Sequence, residues 1–592
     1  MIRDGMLSHH APARRLLESE VDPESSARIL SDWIQQVFDG FYSDFRAIPP
    51  KAKAAFEASA FQQSLQNSRD RLTLYGERMH ALARTLAAEY PDAIAAPELW
   101  DRLEQHYTAA VAGRYEADLA LAFLHSVRRA VFMDNWTPVD YAVDIKTQSS
   151  SDREVMLSRA VDAVDAGLIR EMLAIPSFDI PFRDAAGDSE RAADKVEEAL
   201  TRRGLADSIA AVDVIRGGFF RNRGVYVVGR IRLNGGLAVP LILALLNDEA
   251  GIYIDAVLTD EPEAHNLFST TRANFIVTND HYHELAEFLH GIMPKRPLGL
   301  HYSSLGFNHF GKVAVMEELT DELARDEAVF DTSVGFPGTV AIGFQAPGSV
   351  YNLKVIRDHP TENYKWGDFS GVESVLEKYR QVHDINRTGS MLDNAIYYNV
   401  TLPSSHFASG LLSELVEDAS NAVSLRGETV FFHHLIVQRR MIPLPVFLQQ
   451  APREDCERAV ISLGQCIKNN MAANIFNRDL DGRNYGVGSH IRVYLFDYDA
   501  LETFTDVKIR SNRDRFDGEE DIPGWFFEDG VVFLPEEIEV GLRITDPDLR
   551  RLFRTVHGDL LEVEYWQRIQ DELKNGNVPQ IQVYPDSSSL RA

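Results

Sequence analysis

"NRDLDGRN", residues 477–484, is the stretch on which the reading of this chain turns. It holds an Arg-Asp pair, Arg478 and Asp479, and Asn484 follows five positions after that Asp. Taken alone, Asp479 reads as an ordinary turn or capping residue. The Asp-x-x-x-x-Asn spacing arises by chance roughly once or twice in a chain of this length. The continuation sharpens it. "NYGVGSHIRVYLFDYDA", residues 484–500, reads as a strand, a Gly-Ser turn, a second strand and then Asp497. A hairpin of that length returns Asp497 to the neighbourhood of Asn484. Carboxylate and amide oxygens are the hard donors that Mg²⁺ takes.

Upstream, "NLKVIRD" (352–358) places Lys354 on a strand between apolar neighbours. Before it, "SVGFPGT" (333–339) carries Gly335 and Gly338 without the full Gly-x-Gly-x-x-Gly spacing. "TSVGFPGTVAIGFQ" and "VYNLKVIRD" read as two strands joined through "APGS". A helix over 371–383 and a strand over 428–440 follow, then helices up to the opening stretch. Phosphoryl transfer needs metal ions on the phosphates, a group to orient the acceptor hydroxyl and cations to spread charge. Glycine loop, strand lysine, helix, hinge-like strand, Asp/Asn loop and metal Asp occur here in the order found in protein kinases. Any one of these residues alone is better read as structural; Lys354, for instance, as an exposed edge-strand lysine. Order and spacing together favour a kinase-like fold.

The first half has a different texture. In "ARILSDWIQQVFDGFYSDF" (27–45), Ile29, Trp33, Ile34, Val37, Phe38, Phe41 and Phe45 form one helical stripe. Helical runs follow over 66–87, 98–132 and 189–204. Short β-branched segments, "GVYVVGRIRL", "AVPLILALL", "GIYIDAVL" and "NFIVT", then predict a small inserted sheet. The expected fold is α+β: a tail over 1–24, a mostly helical domain with an inserted sheet over 25–328, and a divergent bilobal kinase-like domain over 329–592. The last residues, "DSSSLRA", read as disordered.

The 592 residues exceed what one core accommodates, and the formal charge of −29 argues against coating nucleic acid or an anionic membrane. Cys456 and Cys466 are the two cysteines, so a disulfide framework is excluded. No apolar run spans a bilayer, and the N-terminus lacks the apolar core of a signal peptide. A cytoplasmic protein with reduced thiols is expected. His281 and His283 in "NDHYHE" have a spacing that can bind zinc on a strand, but no third ligand lies nearby; a helix start capped by Asn279 or Asp280 fits better. His433 and His434 are adjacent in a strand, which divides them between core and surface. Lys508, Arg510, Arg513 and Arg515 form a basic cluster that is either a solvated loop or a docking patch.

"GFYSDF", "LTLYGERM", "FFRNRGVYVVGRI", "YSSLGFNHFGK", "RRMIPL", "AANIF", "FDYD" and "LEVEYWQRIQDEL" occur in the order in which the bacterial isocitrate dehydrogenase kinase/phosphatase family carries similar segments. The chain resembles that family over nearly its whole length from about residue 25. The resemblance implies a helical regulatory domain, a kinase-fold catalytic domain, ATP with Mg²⁺, and a serine of isocitrate dehydrogenase as acceptor. It also implies removal of that phosphate at the same nucleotide site with ADP, AMP as an effector bound where the halves meet, and control of flux into the glyoxylate bypass.

The family's nucleotide loop falls on Ser333, Val334, Gly335, Phe336, Pro337, Gly338 and Thr339, and its ATP lysine on Lys354. Its catalytic Asp falls on Asp479, its metal ligands on Asn484 and Asp497, and the Asp tied to the phosphatase reaction on Asp499. A further active-site Asp falls on Asp393, which by sequence alone reads as a helix start. Where the family has "GDMLFKN" this chain has "RDLDGRN", so Arg483, which the resemblance counts among the catalytic residues, stands for the lysine before the Asn and keeps its charge with another geometry, the two not being interchangeable on a phosphate. Asp481 and Gly482 replace apolar residues, and a more acidic, more flexible loop is expected. Competing readings are a regulator that binds nucleotide and isocitrate dehydrogenase without turnover, and a kinase for a different acceptor. The oligomeric state is open, a homodimer included.

Overall fold

In the computed structural model, which describes residues 22–91, 97–132, 152–269, 275–326, 328–333, 335, 338–362, 364, 369–385, 389–498, 500–511, 530–581 and 583–591, the first apolar stripe becomes α1 (Pro23–Arg46). Trp33, Ile34, Phe38, Phe41 and Phe45 are buried there. They share one core with α2 (Phe61–Glu89), α3 (Pro97–Val111) and α4 (Ala117–Phe132). The tail expected over 1–24 lies outside the described residues up to position 21.

The inserted sheet has seven antiparallel-paired strands: β1 (Met156–Ala160), β2 (Ile209–Ile215), β3 (Phe219–Arg221), β4 (Gly224–Leu233), β5 (Ala238–Asp248), β6 (Gly251–Leu258) and β7 (Ile276–Val277). The sequence marks β4 to β7, and the structure adds β1 to β3. Tyr226, Val228 and Ile242 face the α1–α4 core, while Val225, Val227, Leu241 and Leu243 join a second core beneath the sheet. Burial on both faces is why β4 and β5 read as nearly unbroken apolar runs.

Helices α5 (Tyr282–Ile292), α6 (Leu298–Ser304) and α7 (Asn308–Asp326) lead to the second half. Its sheet comprises β8 (Asp331–Thr332), β9 (Ala341–Gln345), β10 (Tyr351–Ile356), β11 (Asn394–Pro403), β12 (Val423–Arg426) and β13 (Thr429–Arg439). The expected turn through "APGS" joins β9 to β10 in antiparallel register. Val315, Met316, Leu319 and Leu323 of α7 share a core with Ile342, Phe344, Leu353 and Val355 of this sheet. The Lys312 ammonium donates to the Ile396 carbonyl at 3.2 Å, and the Tyr397 hydroxyl donates to the Lys312 carbonyl at 2.8 Å. The last helix of the first half is thereby part of the second half's core.

Helix α8 (Val372–Ile385) lies between β10 and β11 in sequence, and β14 (Ile442–Pro443) leads into a helical lobe built on α9 (Arg453–Ala472), α10 (Pro547–His557) and α11 (Val563–Lys574). The C-terminal residues depart from the expectation of disorder. Asp586–Ser588 form a 3₁₀ turn, Ser589 bridges Ala256, and the Leu590 amide donates to the Asp255 carbonyl at 2.8 Å. The Tyr584 hydroxyl donates to the Asp255 carboxylate at 2.6 Å, so the chain's end is laid back on the first sheet. No helix among the described residues is long and apolar enough to cross a membrane.

His434 on β13 is 2% exposed, and its Nε2 accepts the Ile356 amide at 3.1 Å. Its neighbour His433 is only half-buried. Burial, with the charges of His433 and Arg380 adding, pushes the His434 imidazole down to about 4. The folded chain keeps it neutral, whereas the unfolded chain takes a proton below its ordinary value of about 6.5. Stability from this residue is therefore lost as pH falls from about 6.5 towards 4, by about 3 kcal/mol in all. His434→Gln, which retains an acceptor, is expected to flatten that part of the acid-unfolding profile. Denaturant melts at pH 7 and pH 4.5 check it; an unchanged difference between them would show that the acid sensitivity resides elsewhere.

Candidate active site

Burial along β10 alternates, with Tyr351, Leu353 and Val355 inside and Asn352 and Lys354 half-exposed. This puts Lys354 on the face away from α7. Its Nζ lies 3.5 Å from the Phe496 carbonyl, 5.1 Å from the Phe496 ring centroid and 5.8 Å from that of Tyr379 on α8. The residue after Phe496 is Asp497, so the strand lysine stands over the segment that carries the expected metal carboxylate.

That segment ends a hairpin. β16 (Tyr485–Val487) and β17 (Val493–Leu495) pair antiparallel, Tyr485 opposite Leu495. One residue further, the Phe496 amide donates to the Asn484 carbonyl at 3.0 Å, which brings the backbone of Asn484 alongside the approach to Asp497. Asp479 follows β15 (Ile475–Asn477), and its amide donates to Asn477 Oδ1 at 3.0 Å. Asn484 Nδ2 in turn donates to the Asp479 carbonyl at 2.9 Å. Burial pushes the Asp479 carboxyl above its usual range; the charges of Asp481 and Asp497 push the same way, against the Asn484 hydrogen bond and the Arg483 charge. Four residues, up to 18 positions away, thus act on one carboxyl.

The loop between them is not loosened, contrary to expectation. Asp481 caps the 3₁₀ turn Gly482–Asn484, accepting the Arg483 amide at 2.9 Å. Its carboxylate also receives Arg483 Nε at 3.0 Å and Nη2 at 2.8 Å, and it pairs with Arg543 at 2.9 Å. Gly482 is present for close approach: a Cβ there would stand 2.2 Å from the Leu542 carbonyl oxygen. The acidity of Asp481 is neutralised by two guanidinium groups, and the glycine docks the loop.

In the nucleotide loop, the Ser333 amide donates to the Gly343 carbonyl at 3.0 Å, and its hydroxyl bonds Asn352 Oδ1. Gly335 has φ +127°, and a Cβ there would lie 2.9 Å from Pro443 Cγ on β14. The Thr339 carbonyl accepts the Thr361 amide at 2.9 Å, and Gly338 leads into β9. Val334, Phe336 and Pro337 lie outside the described residues, as does Asp499.

Asp393 does not start a helix; it precedes β11 and is 7% exposed. Met391 bridges Leu495 in parallel, and the Leu392 amide donates to the Leu495 carbonyl at 2.8 Å. Burial, and after it the charges of Asp393 and Asp497, push the Tyr498 hydroxyl well above its ordinary range, so both carboxylates lie within reach of that ring. Asp393 also lines a cavity of about 30 Å³ between α7 and the second sheet, with Asn308, Lys312, Gln438 and Arg439. Next to it, Arg296 is fully buried; burial and the Arg439 charge push its guanidinium down to about 10. Among the described residues, Arg296 Nε and Nη1, Arg439 Nη1 and Gln438 Nε2 find no hydrogen-bond acceptor.

Two other candidates resolve differently. Asn279 Oδ1 accepts the His281 amide at 3.0 Å, and α5 starts at Tyr282; His283 pairs with Asp118 at 3.0 Å. The pair of histidines stands at a helix start, as the alternative reading had it, but the N-cap position is His281 itself, without a side-chain cap bond, and Asn279 instead shapes the turn before it. Of the basic cluster, Lys508 and Arg510 are described, and Arg513 and Arg515 lie outside the described residues.

Mg²⁺ binds proteins through one or two carboxylates together with substrate phosphates. Asn484, whose amide nitrogen is committed to Asp479 and whose oxygen is the remaining donor, and Asp497 fit that ion. Sequence reasoning passed over Phe496 and Tyr379 as the walls around Lys354, and Arg543 as the second partner of Asp481. The first two were legible only as apolar residues, and Arg543 lies 62 positions from Asp481.

A lysine on a β-strand over a hairpin-borne Asp, with an Asp/Asn loop below and a glycine loop beside the hinge, is the arrangement of a protein kinase. The comparisons refine this class. The family described as "Isocitrate dehydrogenase kinase/phosphatase (AceK) kinase domain" matches residues 328–586, and the corresponding "regulatory domain" family matches residues 31–327. A Rhodopseudomonas palustris (strain HaA2) protein named isocitrate dehydrogenase kinase/phosphatase is 46% identical over 578 residues, covering 96% of this chain and 94% of its own. Proteins of the same name from Cupriavidus pinatubonensis and an Anaeromyxobacter species are 30% and 29% identical, covering 95% and 96% of this chain and 95% and 99% of their own lengths. The chain belongs to the isocitrate dehydrogenase kinase/phosphatase family.

Proposed function

We propose that this protein transfers the γ-phosphoryl group of ATP to a serine of isocitrate dehydrogenase and also removes it, ADP occupying the same nucleotide site in the second reaction. The observation that carries the reading is the bond of Asn484 to the Asp479 carbonyl together with Lys354 against the Phe496 carbonyl beside Asp497, the charges of Arg483 and Asp497 acting on the Asp479 carboxyl. Asp479 accepts the proton of the attacking serine hydroxyl; its raised affinity for a proton suits that task. Lys354 meets the nucleotide phosphates, and Arg483 faces the transferring phosphoryl group. Asn484 and Asp497 would hold Mg²⁺, which neutralises charge developing on the phosphate oxygens. Ser333 to Thr339 cover the nucleotide. Asp393 and Asp499 are assigned to the active site, Asp499 to the phosphatase direction.

A phosphoserine adds about −1.5 to −2 charge. At an active site that takes a tricarboxylate, that charge repels the substrate and diverts flux to the glyoxylate bypass. AMP binds between the halves, in a space that must open beyond the present cavity of about 30 Å³; the reading is supported by Arg439, which lines that cavity, and by the buried Arg296, which feels its charge, both with donors that have no acceptor among the described residues. The domains of this reading are 25–328, regulatory, and 329–592, catalytic.

Incubating the protein with isocitrate dehydrogenase, Mg²⁺ and γ-labelled ATP tests it. Label is expected on one serine as dehydrogenase activity falls, and replacement of ATP by ADP is expected to release the label and restore activity. Bound nucleotide without label would instead define a non-catalytic regulator, and label on another protein only would define a different acceptor.

A further inference from the structure

We infer that Asp481 is a positioning residue for phosphoryl transfer: its carboxylate orients the Arg483 guanidinium towards Asp479 and, through Arg543, ties the catalytic loop to the helix Ile538–Leu542. The inference rests on the assignment of Arg483 to the transferring phosphoryl group.

Three observations carry it. First, Asp481 is 6% exposed and its carboxylate accepts four hydrogen-bonding or ion-pair contacts: the Arg483 amide at 2.9 Å, Arg483 Nε at 3.0 Å, Arg483 Nη2 at 2.8 Å and Arg543 Nη2 at 2.9 Å. A side chain gripped at Nε and Nη2 by a residue two positions away is fixed in direction, because the planar guanidinium presents its donors in a rigid fork. So held, the guanidinium stays two to four positions along the loop from Asp479, near enough for its charge to act on that carboxyl. Second, Asp481 alone would bring a negative charge to a site that must accept phosphate. Arg543 on the same carboxylate offsets it, so the three groups together retain one positive charge beside Asp479. Third, the tie is steric as well as ionic. Gly482 lies so close to Leu542, and Gly541 to Leu480, that a Cβ at either position would stand 2.2 Å or 2.8 Å from the opposing carbonyl oxygen. Arg543 leaves the end of that helix with φ +55°, which turns its side chain back to the loop. Loop and helix therefore move as one piece, with Asp481 as the charged pin.

The test is a double-mutant cycle on the full chain with Asp481→Asn and Arg483→Met, reading kcat and the KM for ATP in the kinase direction alongside Tm. Each single change is expected to lower kcat by about tenfold or more, with the KM for ATP moving less than about twofold, the pattern of an interaction made in the transition state. The double variant is expected to be no slower than the slower single one, since residues that act as a unit are non-additive. Asp481→Glu is expected to recover part of the loss. Additive losses, or an Asp481→Asn enzyme with undiminished kcat beside a slow Arg483→Met enzyme, would overturn the positioning role and leave the assignment of Arg483 standing. Undiminished kcat in Arg483→Met would remove the assignment itself. Should Asp481→Asn fail to fold, Arg543→Gln, at a residue with half its side chain in solvent, reads the tie separately: kcat falls severalfold at an unchanged Tm, and an unchanged kcat overturns it.

Discussion

Asp479→Ala is expected to stop phosphoryl transfer to isocitrate dehydrogenase without unfolding the chain. A positioned general base supplies about 10²- to 10⁴-fold, and Asp479 is also the carboxyl on which Asn484, Arg483 and Asp497 bear, so a loss of about 10³-fold or more is anticipated. Stability moves the other way. Burial, with the Asp481 and Asp497 charges, raises the Asp479 carboxyl above its ordinary range. The folded chain then holds that proton more tightly than the unfolded chain does, and stability falls as pH rises through the interval between the two values. At neutral pH the ionised carboxylate is a net cost to folding, and removing it leaves Tm unchanged or higher. The contact that shapes the loop is retained, because Asn484 Nδ2 donates to the backbone carbonyl of residue 479 and not only to its side chain. Label transfer and a thermal melt on the same preparation check both parts. Full activity would place the base elsewhere, and a melt lowered by many degrees would make Asp479 a structural residue.

The parts of this site that were legible in the sequence are those whose geometry is local. The backbone of Asn484 comes beside Phe496, the residue before Asp497, because a short hairpin joins the two segments, and strand periodicity with a Gly-Ser turn announces such a hairpin. Lys354 was legible for the same reason: β9, "APGS" and β10 form one antiparallel unit, and alternation along β10 separates Lys354 from Leu353 and Val355. Pairings across long separations were not legible. Asp481 reads as an extra surface charge until Arg543 is brought to it, and Gly482 reads as flexible until the Leu542 carbonyl is found against it. β2 escaped notice because Asp213 interrupts its apolar run. In the fold that carboxylate is 2% exposed, receives the Ser158 hydroxyl at 2.6 Å and pairs with Arg230 at 2.9 Å, both on neighbouring strands. The polar C-terminus likewise predicts disorder by composition, yet Val583, Tyr584 and Leu590 hold it to a sheet more than 300 positions earlier.

Lys354→Met carries the second large effect, and here stability and activity separate again. Methionine has nearly the length of lysine and fits a half-buried strand position, so the inward-facing Leu353 and Val355 keep their places against α7. The losses to the fold include a hydrogen bond at 3.5 Å to the Phe496 carbonyl and two ring contacts at 5.1 and 5.8 Å. Cation–π contacts at partly exposed sites contribute about 0.5–1 kcal/mol, so Tm is expected to fall by no more than a few degrees. Transfer loses far more. A fixed positive group facing phosphate charge in a closed cleft acts like an oxyanion donor, worth about 2.7–4 kcal/mol, or 10²- to 10³-fold in rate. On the proposed reading, in which one nucleotide site serves the kinase and the phosphatase reactions, the loss is expected in both directions. Lys354→Arg is not expected to recover it: the longer, planar guanidinium cannot occupy the space between the Phe496 and Tyr379 rings as a compact ammonium does. Initial rates with labelled ATP, and release of label with ADP, measure both directions on one preparation. A Lys354→Met enzyme that transfers at the unaltered rate would reduce the strand lysine to packing, and the charge facing the nucleotide would then have to come from Arg483 and the glycine loop.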